Sequence, residues 1–265
     1  MEEDEASSAT VMKAQKMNAE ELLYQLLKTY TDRGRRFSQL TVTDLSSIQS
    51  KNRHKLLMVQ DSEGLTSLHY ASQSEDAETV EYVMESIAPE YRHAPLMVQD
   101  NKGMTSLHYA SQSKCTDKLK YVLESIAPEN RHKLHMVQDS EGLTSLHYAS
   151  QSEDADTVEY VMESIAPENR QTSLLLQDKK GMTSLHRVSL SGNADTVKYL
   201  LQSIAPENRH ALLMVQDNEG MISLHYASLS ESADAVKYVL ESIAPENRHA
   251  SLLVQDNKGM TSLLC

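Results

Sequence analysis

The chain has 265 residues and a formal net charge of −13, from 25 Lys and Arg against 38 Asp and Glu, so it repels a phosphate backbone and no nucleic acid is expected as partner. Its two cysteines, Cys115 and Cys265, give no disulfide framework, which points to a reducing, intracellular and cytoplasmic setting. No run approaches the roughly 18 apolar residues that a membrane span needs, and the acidic start is wrong for a secretory signal, so no membrane partner is expected either.

From the N-terminus, residues 1–10 are expected to be a disordered acidic tail, opening Met1-Glu-Glu-Asp-Glu5. Residues 11–60 are expected to form an N-terminal helical cap. Within it, Asn18-Ala-Glu-Glu21 forms a capping box ahead of the apolar stripe Leu22, Leu23, Leu26, Leu27 and Tyr30. A degenerate half-repeat follows, because Asn52-Arg53-His54 is in register with Asn130-Arg131-His132 further on.

From residue 61 to 265 the chain repeats itself. Asp61, Asp100, Asp139, Asp178 and Asp217 open modules of 39 residues, and Asp256 opens a partial one. A fixed period of this size predicts a stacked solenoid in which each module buries its apolar face against its neighbours. In the first module, Asp61-Ser-Glu-Gly64 is a turn, with Gly supplying positive φ. Thr66 then caps a short helix that places Leu68 and Ala71 on one face. After a polar turn, Ala77 to Ile87 carries Val80, Val83, Met84 and Ile87 at helical spacing, with Glu78, Glu81 and Glu85 facing water. Pro89 ends that helix and suits the first turn of a third, short one, followed by Glu90 where an acid favours the dipole. An extended run returns to the next Asp turn.

The run Asp100 to Ala110, Asp-x-x-Gly-x-Thr-Ser-Leu-His-Tyr-Ala, resembles the ankyrin repeat, with Thr-Ser-Leu-His where that family has Thr-Pro-Leu-His. The resemblance covers Asp61 to Cys265 and implies an all-α, ankyrin-type helical solenoid with β-turn fingers, here with a short extra helix per repeat. It also implies that a concave face of fingers and first helices binds other proteins. Three features depart from the family. Its usual Gly between the helices is replaced by Glu75, Lys114, Glu153 and Glu231, and is kept only at Gly192, so the turn is expected to differ in shape. Ile87 and its equivalents replace the Gly after helix two, and the unit is six residues longer than about 33. Arg187 and Val188 replace Tyr and Ala in the fourth module.

Four columns carry candidate chemistry. His69, His108, His147, His186 and His225 stand in separate layers roughly 10 Å apart, too far to share a metal at about 2 Å. By resemblance they tie adjacent fingers together, so no metal or cofactor is expected. Arg92, Arg131, Arg170, Arg209 and Arg248 each follow a Glu by two residues and are expected to form a Glu and Arg ladder between layers. Glu63, Lys102, Glu141, Lys180, Glu219 and Lys258 alternate in sign along the finger tips, as expected of a self-neutralising edge. Beside the tips runs an apolar column, Leu65, Met104, Leu143, Met182 and Met221, and the end of helix one adds Gln73, Gln112, Gln151, Leu190 and Leu229. These ten are the candidate partner-binding residues, with simple packing between fingers as the alternative use of the apolar column.

Nothing resembles a nucleotide loop, a metal-binding spacing or a nucleophile elbow, so an enzyme is not expected. The expected function is a non-catalytic protein-protein interaction scaffold. Two alternatives are an adaptor segment of a longer multidomain enzyme or host-directed effector, and a rod that self-associates through an uncapped C-terminal end where Leu263 and Leu264 are exposed.

Overall fold

The computed structural model describes residues 57–74, 76–152 and 154–264. The tail expected over 1–10 and nearly all of the cap expected over 11–60 lie outside these residues. Among the described residues there are fifteen α-helices and no strand. In chain order they are α1 (Ser67–Gln73), α2 (Ala77–Glu85), α3 (His93–Leu96), α4 (Ser106–Gln112), α5 (Thr116–Glu124), α6 (Pro128–His135), α7 (Ser145–Gln151) and α8 (Ala155–Ser164). Then follow α9 (Pro167–Leu175), α10 (Ser184–Ser191), α11 (Ala194–Gln202), α12 (Pro206–Leu213), α13 (Ser223–Leu229), α14 (Ala233–Ser242) and α15 (Pro245–Leu252).

Each module opens on a turn that its aspartate organises. Asp61 Oδ1 accepts the backbone N–H groups of Glu63 at 2.9 Å and Leu65 at 2.8 Å, and the Gly64 N–H reaches the Asp61 carbonyl at 3.0 Å. Gly64 sits at φ +77°, and a Cβ there would lie 2.6 Å from the Asn101 backbone nitrogen of the next turn. Both the conformation and the closeness of the neighbouring finger therefore demand glycine.

The helices follow from their apolar spacing. In α1, Leu68 and Ala71 are buried; in α2, Val80, Val83 and Met84 are buried while Glu78 and Glu85 stay exposed. First helices pack in one row, α1 to α4, α7, α10 and α13, and second helices in another, α2 to α5, α8, α11 and α14. Their inner faces join in a single cluster running from Leu57 to Ile243. Full burial of a side chain such as Leu107 or Leu146 stabilises by about 1.5–3 kcal/mol.

The Pro-led third helix is present, with Pro128, Pro167, Pro206 and Pro245 in the first turn. In the first module it is split into a 3-10 turn, Pro89–Tyr91, and the short α3. Pro95 accounts for the break, since it has no N–H to give to the Tyr91 carbonyl four residues back.

The turn between helices one and two takes more than one shape. Gly192 is left-handed at φ +71°, and Glu231, 39 residues on, keeps that conformation at φ +60° despite its Cβ. Lys114 does not, and the preceding Ser113 is extended at φ −79°, ψ 144°. The equivalent Glu75 and Glu153 lie outside the described residues. Lys118, buried where other modules have Thr79 or Thr157, donates its ammonium to the Ser74 carbonyl of the preceding layer. No helix among the described residues is long and apolar enough to cross a membrane.

Candidate functional site

The histidine column is fully committed to structure. The Thr66 backbone N–H donates to His69 Nδ1 at 3.0 Å, which leaves the ring proton on Nε2, and Nε2 donates to the Met104 carbonyl at 3.0 Å. The same clamp recurs from His108 to Leu143 (3.1 Å), His147 to Met182 (3.1 Å) and His225 to Met260 (3.3 Å), whereas His186 Nε2 donates at 3.1 Å to the Val215 carbonyl in the return run of its own module. Burial lowers the pKa of His69, His108 and His186, and burial together with Arg187 brings His147 to about 4. With both nitrogens engaged, these rings offer neither a metal ligand nor a general base. His69, His108, His147 and His225 tie adjacent fingers, as the resemblance implied. His69, His108 and His186 also meet a tyrosine of the next layer edge to face, as His69 meets Tyr109 with centroids 5.8 Å apart.

A second link joins turn to helix. The remaining carboxylate oxygen of Asp100 accepts the Tyr109 hydroxyl at 2.5 Å, as Asp139 accepts from Tyr148 (2.6 Å) and Asp217 from Tyr226 (2.5 Å). In the fourth module Arg187 replaces tyrosine and forms an ion pair with the same oxygen of Asp178. The substitution keeps the link and changes its chemistry. A third link is a ladder of glutamines. Gln138 Nε2 donates to the Gly142 carbonyl at 2.7 Å and to the Gln177 carbonyl of the next layer at 3.0 Å, and Gln60, Gln99 and Gln177 do the same in their layers. Sequence reasoning missed both links, although the constant nine-residue offset from Asp to Tyr and the recurring Gln-Asp pair were signals for them.

Two expected ladders are corrected by the geometry. Among the described residues the ion pair present is Arg187 with Asp178, so the Arg column does not pair with the Glu two residues before it. Instead Arg92 Nε donates to the Ile87 carbonyl at 3.0 Å, Arg170 to Ile165 at 3.1 Å and Arg248 to Ile243 at 3.1 Å. These carbonyls at the end of helix two lack helical partners, and a guanidinium five residues on satisfies them while Glu90 and its equivalents stay solvated. The finger-tip charges likewise form no ion pairs with one another. The tips are joined through main chain, as where the Ser140 N–H donates to the Lys102 carbonyl at 2.8 Å.

The ten candidate binding residues fall into two tiers. Met104, Met182 and Met221 are buried at 5%, 9% and 7% exposure, and Leu65 and Leu143 are half-buried. Gln73, Gln112 and Gln151 are exposed, as are Leu190 (46%) and Leu229 (47%). The exposed tier sits at one register position near the ends of α1, α4, α7, α10 and α13, so the row of first helices brings it into one line. No group of three or more His, Cys, Asp or Glu able to hold a metal occurs among the described residues. Leu263 and Leu264 are exposed.

A family model of ankyrin repeats, in three copies, matches residues 11–133, 93–173, 125–210 and 171–256. The chain belongs to the ankyrin-repeat family. Comparison with curated proteins returned no match. Among solved structures, the ankyrin repeat domain of Bcl-3, described as a unique member of the IkappaB protein family, is similar to this chain. It aligns at 20% identity with a TM-score of 0.59, covering 96% of this chain and 91% of that one, a likeness of fold alone.

Ankyrin repeats are generally protein-interaction modules. In this ankyrin array the His, Asp and Gln links stiffen the fingers, and the exposed tier stands on that support. One more polar side chain is given to structure. His135 occupies the place of Leu96 and Leu174, buried, with Ser145 Oγ at 3.2 Å from Nδ1 and Ser164 Oγ at 2.8 Å from Nε2. Burial and then the charge of Arg131 bring its pKa to about 3. Sequence reasoning passed over it because Leu-to-His at a single copy leaves no periodic trace.

Proposed function

We propose that this chain is a non-catalytic protein-protein interaction scaffold that holds a segment of a partner protein along the concave face made by its fingers and first helices. The observation that carries the proposal is the exposed tier, Gln73, Gln112, Gln151, Leu190 and Leu229, at one register position of five stacked helices. Its amide half suits main-chain hydrogen bonds of a bound segment, and its leucine half suits an apolar anchor. Large exposed leucines one layer apart are costly to leave in water and are typical of a surface that a partner covers.

The test is capture of binding partners by the intact chain and by a Leu190→Asp, Leu229→Asp double variant. Both positions are exposed, so the variant folds. A partner retained by the wild-type chain and lost by the variant supports this face; unchanged capture discards it.

A further inference from the structure

The row of finger tips carries a charge pattern that its own fold leaves unused. Glu63, Lys102, Glu141, Lys180, Glu219 and Lys258 are all exposed, and none is in an ion pair. Backbone bonds join the tips, from Asn101 N–H to the Glu63 carbonyl at 3.0 Å through to Asn257 N–H to the Glu219 carbonyl at 2.8 Å. The Asn101, Asn218 and Asn257 amides reinforce that ladder, donating to the Ser62, Lys179 and Asn218 carbonyls at 2.9, 2.8 and 3.0 Å, but the charged side chains take no part in it.

An alternating row with an even number of members is its own complement. Turned about a two-fold axis between the third and fourth tips, it sets Glu141 against Lys180 of a second copy, Lys102 against Glu219, and Glu63 against Lys258, each contact occurring twice. Exposed Lys179, beside Lys180, adds a further positive charge opposite Glu141 at the centre. An antiparallel slip by one layer, or a parallel alignment in register, sets like against like. A parallel alignment slipped by one layer opposes the signs at fewer contacts and has no two-fold closure.

We propose that the partner of this edge is a second copy of the chain, docked antiparallel, tip to tip, across a two-fold axis. Charge fixes orientation and register in such a contact. The residues preceding the charged ones, Ser62, Asn101, Ser140, Asn218 and Asn257, are small and polar, so the contact is electrostatic and salt-sensitive rather than apolar. This edge is distinct from the exposed tier on the first helices, and the dimer leaves the partner-binding proposal standing or falling by itself.

Sedimentation equilibrium of the full chain tests the proposal. A dimer is expected at about 20 mM salt and a monomer at about 500 mM, where charges farther apart than a few ångströms are screened. Glu141→Lys places like charges at both central contacts and is expected to weaken the dimer about tenfold or more. Adding Lys180→Glu restores opposite signs across the two-fold axis and is expected to restore the dimer, whereas the slipped parallel arrangement is not rescued by this swap. A monomer at low salt, a dimer indifferent to salt and to Glu141→Lys, or a loss that Lys180→Glu does not repair would each overturn the proposal. Circular dichroism of the variants confirms that the helices are intact.

Discussion

His147 Nε2 donates to the Met182 carbonyl at 3.1 Å, so a ring rooted in one layer closes the backbone of the next. The same ring accepts the Thr144 backbone N–H at 3.1 Å. His147→Leu keeps the bulk and removes both partners. Each buried group left unpaired costs about 1–3 kcal/mol, and the urea midpoint is expected to fall accordingly. An unchanged midpoint would mean that the histidine clamp contributes no stability.

Acid is expected to loosen the array well before its carboxylates titrate. Burial holds the folded-state pKa of His69, His108 and His186 below 6.5, of His147 at about 4 and of His135 at about 3. In the unfolded chain each ring takes up a proton near pH 6.5. Stability is therefore full above about pH 6.5 and is lost as pH falls below it, at about 1.4 kcal/mol per pH unit for each ring until its folded pKa is reached. Urea midpoints measured between about pH 7.5 and pH 5 should drop steeply, and a flat profile would contradict the burial of these rings.

Arg187 should be replaceable by the residue that its siblings use. Arg187→Tyr can bond Asp178 as Tyr109 bonds Asp100, so its effect on stability is expected to stay within about 1 kcal/mol. Arg187→Ala strands a buried carboxylate and is expected to cost about 1–3 kcal/mol. The guanidinium also helps hold the His147 pKa down. In Arg187→Tyr that pKa rises, as a titration of histidine proton chemical shifts would register.

Two glycines in the same Lys-Gly-Met-Thr-Ser-Leu context should differ. Gly181 and Gly259 have φ of +78° and +80°, yet a Cβ on Gly181 meets the Asn218 backbone nitrogen at 2.7 Å, while one on Gly259 meets nothing within 4 Å. Gly259→Ala is expected to cost about 1 kcal/mol, the conformational term alone. Gly181→Ala should cost clearly more, because the neighbouring finger must move. Equal losses in thermal unfolding would contradict the close approach of the fingers.

What was legible in the sequence is what one module decides within itself. The turn glycines, the capping threonines, the apolar faces of both helices and the proline-led third helix all depend on neighbours a few residues away, and the period copies them through five modules, with Ile222 the one replacement of a capping threonine. What was not legible depends on what approaches across the gap between layers. Whether Met104 is buried or Leu190 exposed is set by the next module's packing, not by its own pattern. Arg92 has an acid nearby in sequence, yet a helix-end carbonyl claims it, since an unsatisfied backbone acceptor outweighs a solvated ion pair. The charged tips looked paired because adjacent layers carry opposite signs; the main chains meet there and the charged side chains do not.

The central claim is that first helices of successive modules stand in one row and present one repeated surface. Pulsed electron spin resonance distances test it most directly, with spin labels on cysteines placed at Gln73, Gln151 and Leu229, and with Cys115 and Cys265 changed to serine. With layers roughly 10 Å apart, the account predicts about 20 Å from position 73 to 151, about the same from 151 to 229, and close to their sum from 73 to 229. Distances that fail to add along the row, or a 73-to-229 separation no longer than its halves, would contradict it.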